Sequence, residues 1–372
     1  MKQQQNYIHK LAGRTSLLVV AIAVCTLFTA CDNKEHKLES ALPILDSRGV
    51  YVVCQGDEQG STLAYVGFTS GATVGDWFQP NVGRELGPAA TDGLVYGDKL
   101  YIATGAEGKV EVVNRKSRKS VGQIDMATLT GDTGSTPNGL AAADGVLYIA
   151  TPQGVTAVDT VAFSLLRKYS AGVAASTLAV SHTTLFIGHP ANADGTGGSV
   201  EAVSLATGES TTATGPLASS PATIVAATPY AFFLDGGGNG VAAGVRRLQG
   251  ATVTTVTSAA CMCIGGTKLY VSKPSATATA APTLNVYDLQ TAEERVFTTD
   301  VPPFPCLMEA DPVTGHLFVA SYQKDPQTGL AAHATGCQLT EYDSSGSRLK
   351  TYDIGVEPRA IFFDTFLNYV EY

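Results

Sequence analysis

Charge is what this chain has least of. Asp, Glu, Lys and Arg make up 15% of its 372 residues, where globular chains average about 25%. Glu and Lys are too sparse for a coiled coil, and no heptad persists. Tryptophan occurs once and methionine 4 times. Beyond residue 30 no apolar run is long enough to cross a bilayer as a helix. The histidines of the body, His36, His182, His189, His316 and His333, have no metal-ligand spacing, although one could still meet a carboxylate in space. There is no regular calcium loop and no nucleophile elbow. The glycine runs at Gly195–Gly198 and Gly236–Gly238 lack the Lys-Ser/Thr that a phosphate cradle needs, and read as loop tips. The expectation is a protein that is not an enzyme and carries neither cofactor nor metal. Bulk disorder is excluded by the 44% apolar content.

The first thirty residues read as an address. Lys2, Lys10 and Arg14 give a positive start, and Ser16–Phe28 is an apolar run of signal-peptide length. Leu27-Phe28-Thr29-Ala30-Cys31 resembles a lipobox, with Phe28 where an aliphatic residue is usual. The expectation is a lipoprotein signal peptide over 1–30, an acylated Cys31, a polar linker over 31–48 and a folded body over 49–372. The alternative is an ordinary secretory signal followed by an incidental Cys. Acyl chains would hold the body to a leaflet, at about 0.8 kcal/mol per buried methylene. Loss of residues 1–30 leaves 21 Lys and Arg against 33 Asp and Glu, a net charge of −12. That balance argues against nucleic acid and against a basic membrane-docking surface. Contact with the membrane is then through the lipid anchor alone.

The body repeats. An apolar strand, a turn, a Leu-Tyr or Leu-Phe strand, a loop, an alternating strand and a last strand recur over Gly93–Ile124, Gly139–Tyr169, Leu178–Thr212, Ile224–Val256, Ile264–Phe297 and Leu307–Ile354. The markers Leu100, Leu147, Leu185, Phe232, Leu269 and Leu317 lie 47, 38, 47, 37 and 48 residues apart, the period of a four-stranded propeller blade. Lys109-Val110-Glu111-Val112 and Thr283–Tyr287 alternate with period two, as half-buried strands do. Two fragments are left over. Gly49–Cys54 and Leu63–Val66 resemble middle strands without an inner one, and Pro358–Phe363 is an inner strand with nothing after it. The fold class is therefore all-β: a seven-bladed β-propeller closed by pairing of N- and C-terminal strands, which removes an exposed sheet edge.

Loops differ between the two ends of such a ring. Gln55–Ser61, His189–Gly198, Asp235–Gly244, Lys273–Pro282 and Tyr322–Gly336 are long, whereas Arg115–Lys119 and Ala206–Glu209 are tight turns. The long second-to-third loops share a face with the blade-to-blade segments, and binding belongs there. On that face Trp77 and Phe78, within Val74–Asp92, are either stacking platforms for a ligand or anchors of their own loop. Phe304, between two prolines, and Tyr322 are further aromatic candidates. Arg359 opens the closing strand, and either points into the central channel or is held by backbone carbonyls. Five thiols remain besides Cys31. Of these, Cys261, Cys263 and Cys306 open neighbouring inner strands, where a disulfide is an expectation in an oxidising compartment. Cys261 and Cys263 fall on one face of their strand; a redox or metal pair is the sharper reading of that spacing.

The stretch DGLVYGDKLYIATGAEGKVEVVNRKSRKSVGQI resembles the YncE-type propeller repeat. The opening GVYVVCQGDEQGSTLAYV is similar to the first blade of YncE-like surface lipoproteins of Gram-negative bacteria, with Cys54-Gln55-Gly56 where Asn-Glu-Gly is frequent. The resemblance spans residues 49–363. Length, acylation signal and blade number also suit the BtuG-type branch, which binds cobalamin at the cell surface and passes it to a TonB-dependent outer-membrane transporter. Carried by architecture and not by a ligand motif, the resemblance implies an outer-membrane, lipid-anchored corrinoid binder, at the cell surface or on the periplasmic side. Two other functions stay open: a protein-interaction or assembly lipoprotein using the same face, and a propeller enzyme of lyase or lactonase type.

Overall fold

The computed structural model describes residues 43–57, 60–192, 198–213, 220–227, 229–237, 242–274 and 282–369. The signal segment and Cys31 lie outside them, as do parts of the long loops, including Gly195, Gly197 and Gly238. Among the described residues the chain is nearly all strand, with two five-residue helices, Phe78–Val82 and Met126–Thr130. Seven four-stranded antiparallel sheets follow one another. Six are continuous in sequence and begin with the inner strands Ala90–Tyr96, Gly139–Ala143, Thr177–Val180, Pro221–Ala227, Cys261–Gly265 and Pro305–Ala310. We number these blades 1 to 6. The seventh takes Pro358–Tyr369 as its inner strand and adds Pro43–Asp57, Gly60–Gly67 and Thr73–Val74 outward. The protein is a seven-bladed β-propeller, closed by its two ends as the leftover fragments require. Its first strand starts at Pro43, ahead of the residue 49 boundary read from the sequence.

Each strand's sequence follows from its position in the blade. The second strands Lys99–Thr104, Val146–Thr151 and Tyr230–Asp235 are buried at every residue after the first. A neighbouring blade covers each of their faces, so they read as continuous apolar runs and do not alternate. The outer strands Leu165–Tyr169, Ser210–Thr212 and Arg348–Asp353 are mostly exposed and polar or basic. Lysines and arginines at the rim discourage another sheet from pairing there.

There is no single core. Seven apolar clusters sit one at each junction between adjacent blades. Alternate side chains of one strand feed different junctions, because successive strand residues point to opposite faces. Val50, Val52 and Cys54 pack toward blade 6, while Tyr51 and Val53 pack toward blade 1. At the closing junction with blade 1, Phe362 stacks on Tyr51 with ring centroids 5.5 Å apart. Gly93 lets the strands approach: a Cβ there would stand 2.7 Å from the Phe362 ring. Arg115 of blade 1 donates to the Asp364 carboxylate at 2.7 Å and to the Thr365 carbonyl, fastening the closing strand from the tight-turn face.

Closure by packing has a measurable consequence. Phe362→Ala removes a buried ring from the closing junction and should cost about 3–5 kcal/mol. Val161, 82% exposed, should lose no more than about 0.5 kcal/mol on substitution by Ala. Urea unfolding of both variants checks this, and equal midpoints would count against a ring held shut at that junction.

Candidate functional site

All seven inner strands line one channel of about 560 Å³, with Thr91–Gly93, Ser176–Leu178, Cys306–Glu309 and Pro358–Ile361 among its walls. One end of the ring carries the connection between Pro43–Asp57 and Gly60–Gly67. Gly56 and Ser61 of a second-to-third loop, Asp76 and Leu86 of a blade-to-blade segment, and Gly355 and Val356 line a common hollow. In this blade, then, the second-to-third connection and the blade-to-blade segments lie on one face.

The channel mouth on that face is built by blades 6 and 7. Tyr322 follows the second strand of blade 6, and its hydroxyl donates to Glu357 Oε2 at 2.8 Å. His333 Nδ1 bonds the other oxygen, Oε1, at 2.7 Å. The Tyr322 and His333 rings lie 4.3 Å apart. Arg359 reaches the Gln55 side-chain oxygen through Nε at 2.6 Å, and lies 3.7 Å from Glu357. The Tyr322 amide donates to the Phe304 carbonyl at 3.1 Å, which brings the Phe304 backbone to the same corner. Phe304 and Glu357 hold φ of 47° and 54°, a left-handed conformation that costs a non-glycine residue about 1–3 kcal/mol and collects at functional sites.

The loop carrying these groups is internally braced. Gln323–Lys324 pairs with Ala331–Ala332. The Asp325 carboxylate accepts from the Gln327 and Thr328 amides at 2.7 and 2.8 Å, and the Thr328 amide above all holds that carboxyl below its usual range. Desolvation pulls Glu357 upward, but the bonds from Tyr322 and His333 and the Arg359 charge outweigh it, so the carboxyl sits low. Burial first, and then the Glu357 acceptor, push the Tyr322 phenol up. At neutral pH the corner therefore holds a carboxylate, a guanidinium and a phenol that stays protonated.

Deeper in the channel are two carboxyls. Asp92 accepts from the Gly93 and Leu140 amides at 2.8 and 2.7 Å, yet burial pushes it up to about 7. Glu309 is pushed up to about 8 by burial, which the Ala310 amide only partly offsets. Both side chains touch channel solvent while protein encloses them, so ionisation lacks full hydration.

Of the aromatic candidates, Tyr322 lines the channel with Arg359 and Phe304 joins it through its backbone carbonyl, whereas Trp77 and Phe78 lie elsewhere. Trp77 is 4% exposed and Phe78 wholly buried. Trp77 meets Tyr51 edge-on at 5.4 Å. Phe78 lies under the Arg84 guanidinium, which pairs with both oxygens of buried Glu111. These rings anchor their own loop, and the stacking reading of them is corrected: the closing junction has already taken their faces. Arg359 lines the channel and is held by a side chain, not by backbone carbonyls. Cys261, Cys263 and Cys306 are free thiols, which corrects the disulfide reading. Cys261 and Cys263 do share a face, in the junction between blades 5 and 6. Cys306 packs against the next junction, its Sγ 3.4 Å from the Ala320 carbonyl. Burial pushes Cys54 and Cys261 up to about 12, so these thiols are not poised to react.

Sequence reasoning missed Glu357, His333, Gln55, Asp92 and Glu309 as site residues. Histidines do meet carboxylates: His189 with Glu201 at 3.0 Å and His316 with Glu341 at 2.8 Å, besides His333. The available signals were the Cys54-Gln55-Gly56 departure from the resembling pattern, and an acid two residues before the already noted Arg359.

The class this architecture defines is the seven-bladed β-propeller. The chain matches no protein-family model and no curated protein. Solved structures share the fold. A hypothetical selenium-binding protein from Sulfolobus tokodaii superposes with a TM-score of 0.62 at 11% identity, covering 87% of this chain and 94% of that one. Hydrazine synthase from Kuenenia stuttgartiensis gives 0.56 at 11% identity, over 76% of this chain and 95% of that one. The computationally designed Ika8 protein gives 0.53 at 13%, over 86% and 89%. At such identities the likeness is one of fold alone.

The channel acids predict a pH profile. The folded protein keeps the Glu309 proton to about pH 8, whereas an unperturbed Glu releases it near 4.5. The stability this gives is full below the lower value and lost as pH rises through the upper one. Glu309→Gln, permanently neutral, should lack that loss, so its melting temperature should gain on the wild type between about pH 5 and 9. Parallel melting profiles across that range would disprove the burial effect.

Proposed function

We propose that the protein is a YncE-like surface lipoprotein that binds a small ligand at the channel mouth. The ligand in this reading is a corrinoid, as in the BtuG-type branch, handed on to a TonB-dependent outer-membrane transporter. Cys31 carries the acyl anchor to the outer membrane. The observation that supports the reading is the convergence of Phe304, Tyr322, His333, Glu357 and Arg359 on the long-loop rim. Such a corner offers aromatic edges, a guanidinium and an exposed imidazole on a rigid frame, with hydrogen bonds already set. Work is done by contact area and preorganised donors, and no bond is made or broken. Leu330, 67% exposed on the same loop, suits a protein partner at this rim. It equally favours the second reading, an interaction lipoprotein without a small ligand.

Mixing the purified protein with cyanocobalamin and desalting should leave visible absorbance with the protein. Tyr322→Ala and Arg359→Ala should each weaken binding about tenfold, as centrally placed contacts do. A colourless protein fraction would sink the corrinoid assignment, and recovery of a transporter by such protein would favour the second reading. Labelling with radioactive palmitate tests the anchor: Cys31→Ser should abolish incorporation, and persistent label would place the acyl chain elsewhere.

A further inference from the structure

On the opposite, tight-turn face a groove of about 460 Å³ runs between blades 4 and 5. That volume is within the usual range for small-molecule sites. The strand Gly244–Gln249 carries two consecutive arginines whose side chains leave on opposite faces. Arg246 is held by its neighbours: its Nε lies 3.5 Å from the Asp235 carboxylate, and its terminal nitrogens donate to Thr255 Oγ1 at 2.9 Å and to the Ala242 carbonyl at 2.6 Å. Arg247 faces the groove. Its Nε is screened from water without a hydrogen-bond partner, and among the described residues none of its nitrogens meets an acceptor. Its guanidinium carbon lies 5.1 Å from the Tyr230 ring centre. Tyr287 and Leu289 of blade 5 form the facing wall, and Phe232 the floor. Arg247 is thus a half-buried cation with an aromatic ring beside it and, among the described residues, no carboxylate or other acceptor to replace the water its Nε has lost.

We propose that this groove is a second binding site, for a small planar aromatic acid. The anion takes the free edge of the Arg247 guanidinium, a geometry suited to a carboxylate. The ring lies between Tyr230 and Tyr287, replacing water on apolar surface. This inference stands apart from the channel-mouth reading, since the two sites lie on opposite faces and share no residue.

The probe is 2-naphthoate, titrated calorimetrically into the purified protein, with 2-naphthamide as its uncharged counterpart. Saturable one-to-one binding is expected, with the amide at least about tenfold weaker, the scale of a lost charge-assisted hydrogen bond. Arg247→Gln should weaken naphthoate by a similar factor, whereas Tyr322→Ala should leave it unchanged. Absence of saturable binding overturns the proposal. So does equal affinity for acid and amide, which is read on the wild type and does not depend on how any variant folds. Loss of naphthoate binding in Tyr322→Ala would move the site to the channel mouth and likewise overturn it.

Discussion

A strand with apolar side chains on both faces has to be covered twice. That requirement governs this molecule. The second strand of each blade is buried on both sides, so each blade needs a neighbour before it and after it. A line of blades leaves two faces wet at its ends, and a ring leaves none. The seven junction clusters are what that requirement looks like when met, and the pairing of Pro358–Tyr369 with Pro43–Asp57 completes the circle. Hydrogen bonding points the same way, because closure gives the first strand a partner on its otherwise open edge.

The channel-mouth site is a product of that closure. Gln55 comes from the start of the chain, Glu357 and Arg359 from its end, and Tyr322 and His333 from the blade between. Gln55 and Arg359 are 304 positions apart in sequence. Their meeting fixes the guanidinium at the rim, and Glu357 ties the imidazole and the phenol to the same point. The groove of blades 4 and 5 depends only on neighbours in sequence, so the two faces draw on different parts of the fold.

The ring was legible in the sequence because its signal is periodic and local. Leu100, Leu147 and Leu185 recur at blade spacing, and doubly buried strands such as Lys99–Thr104 stand out as unbroken apolar runs. The site was legible only in part. Tyr322, Phe304 and Arg359 were marked by residue type and position, but Glu357 and Gln55 matter through contacts between distant segments, which no local pattern carries. Trp77 misled for a related reason. A lone Trp beside glycine and proline resembles a surface platform until the closing junction gathers Tyr51 from the first strand and Phe362 from the last into the same cluster. The cysteines at 261, 263 and 306 likewise start adjacent strands yet face different junctions.

The sheet that carries both chain ends also sets an order of events as the chain is delivered to the place where it folds. A polypeptide emerging N-terminus first holds Pro43–Asp57 with one edge vacant until the final inner strand arrives, some three hundred residues later. Through that interval the early strand is a template for unwanted pairing. Blades 1 to 6 are each contiguous and can form in turn, so the delay falls on a single sheet. Completion of that sheet waits on the tail, and a chain that lacked the tail would keep a gap in the ring where Pro358–Tyr369 belongs.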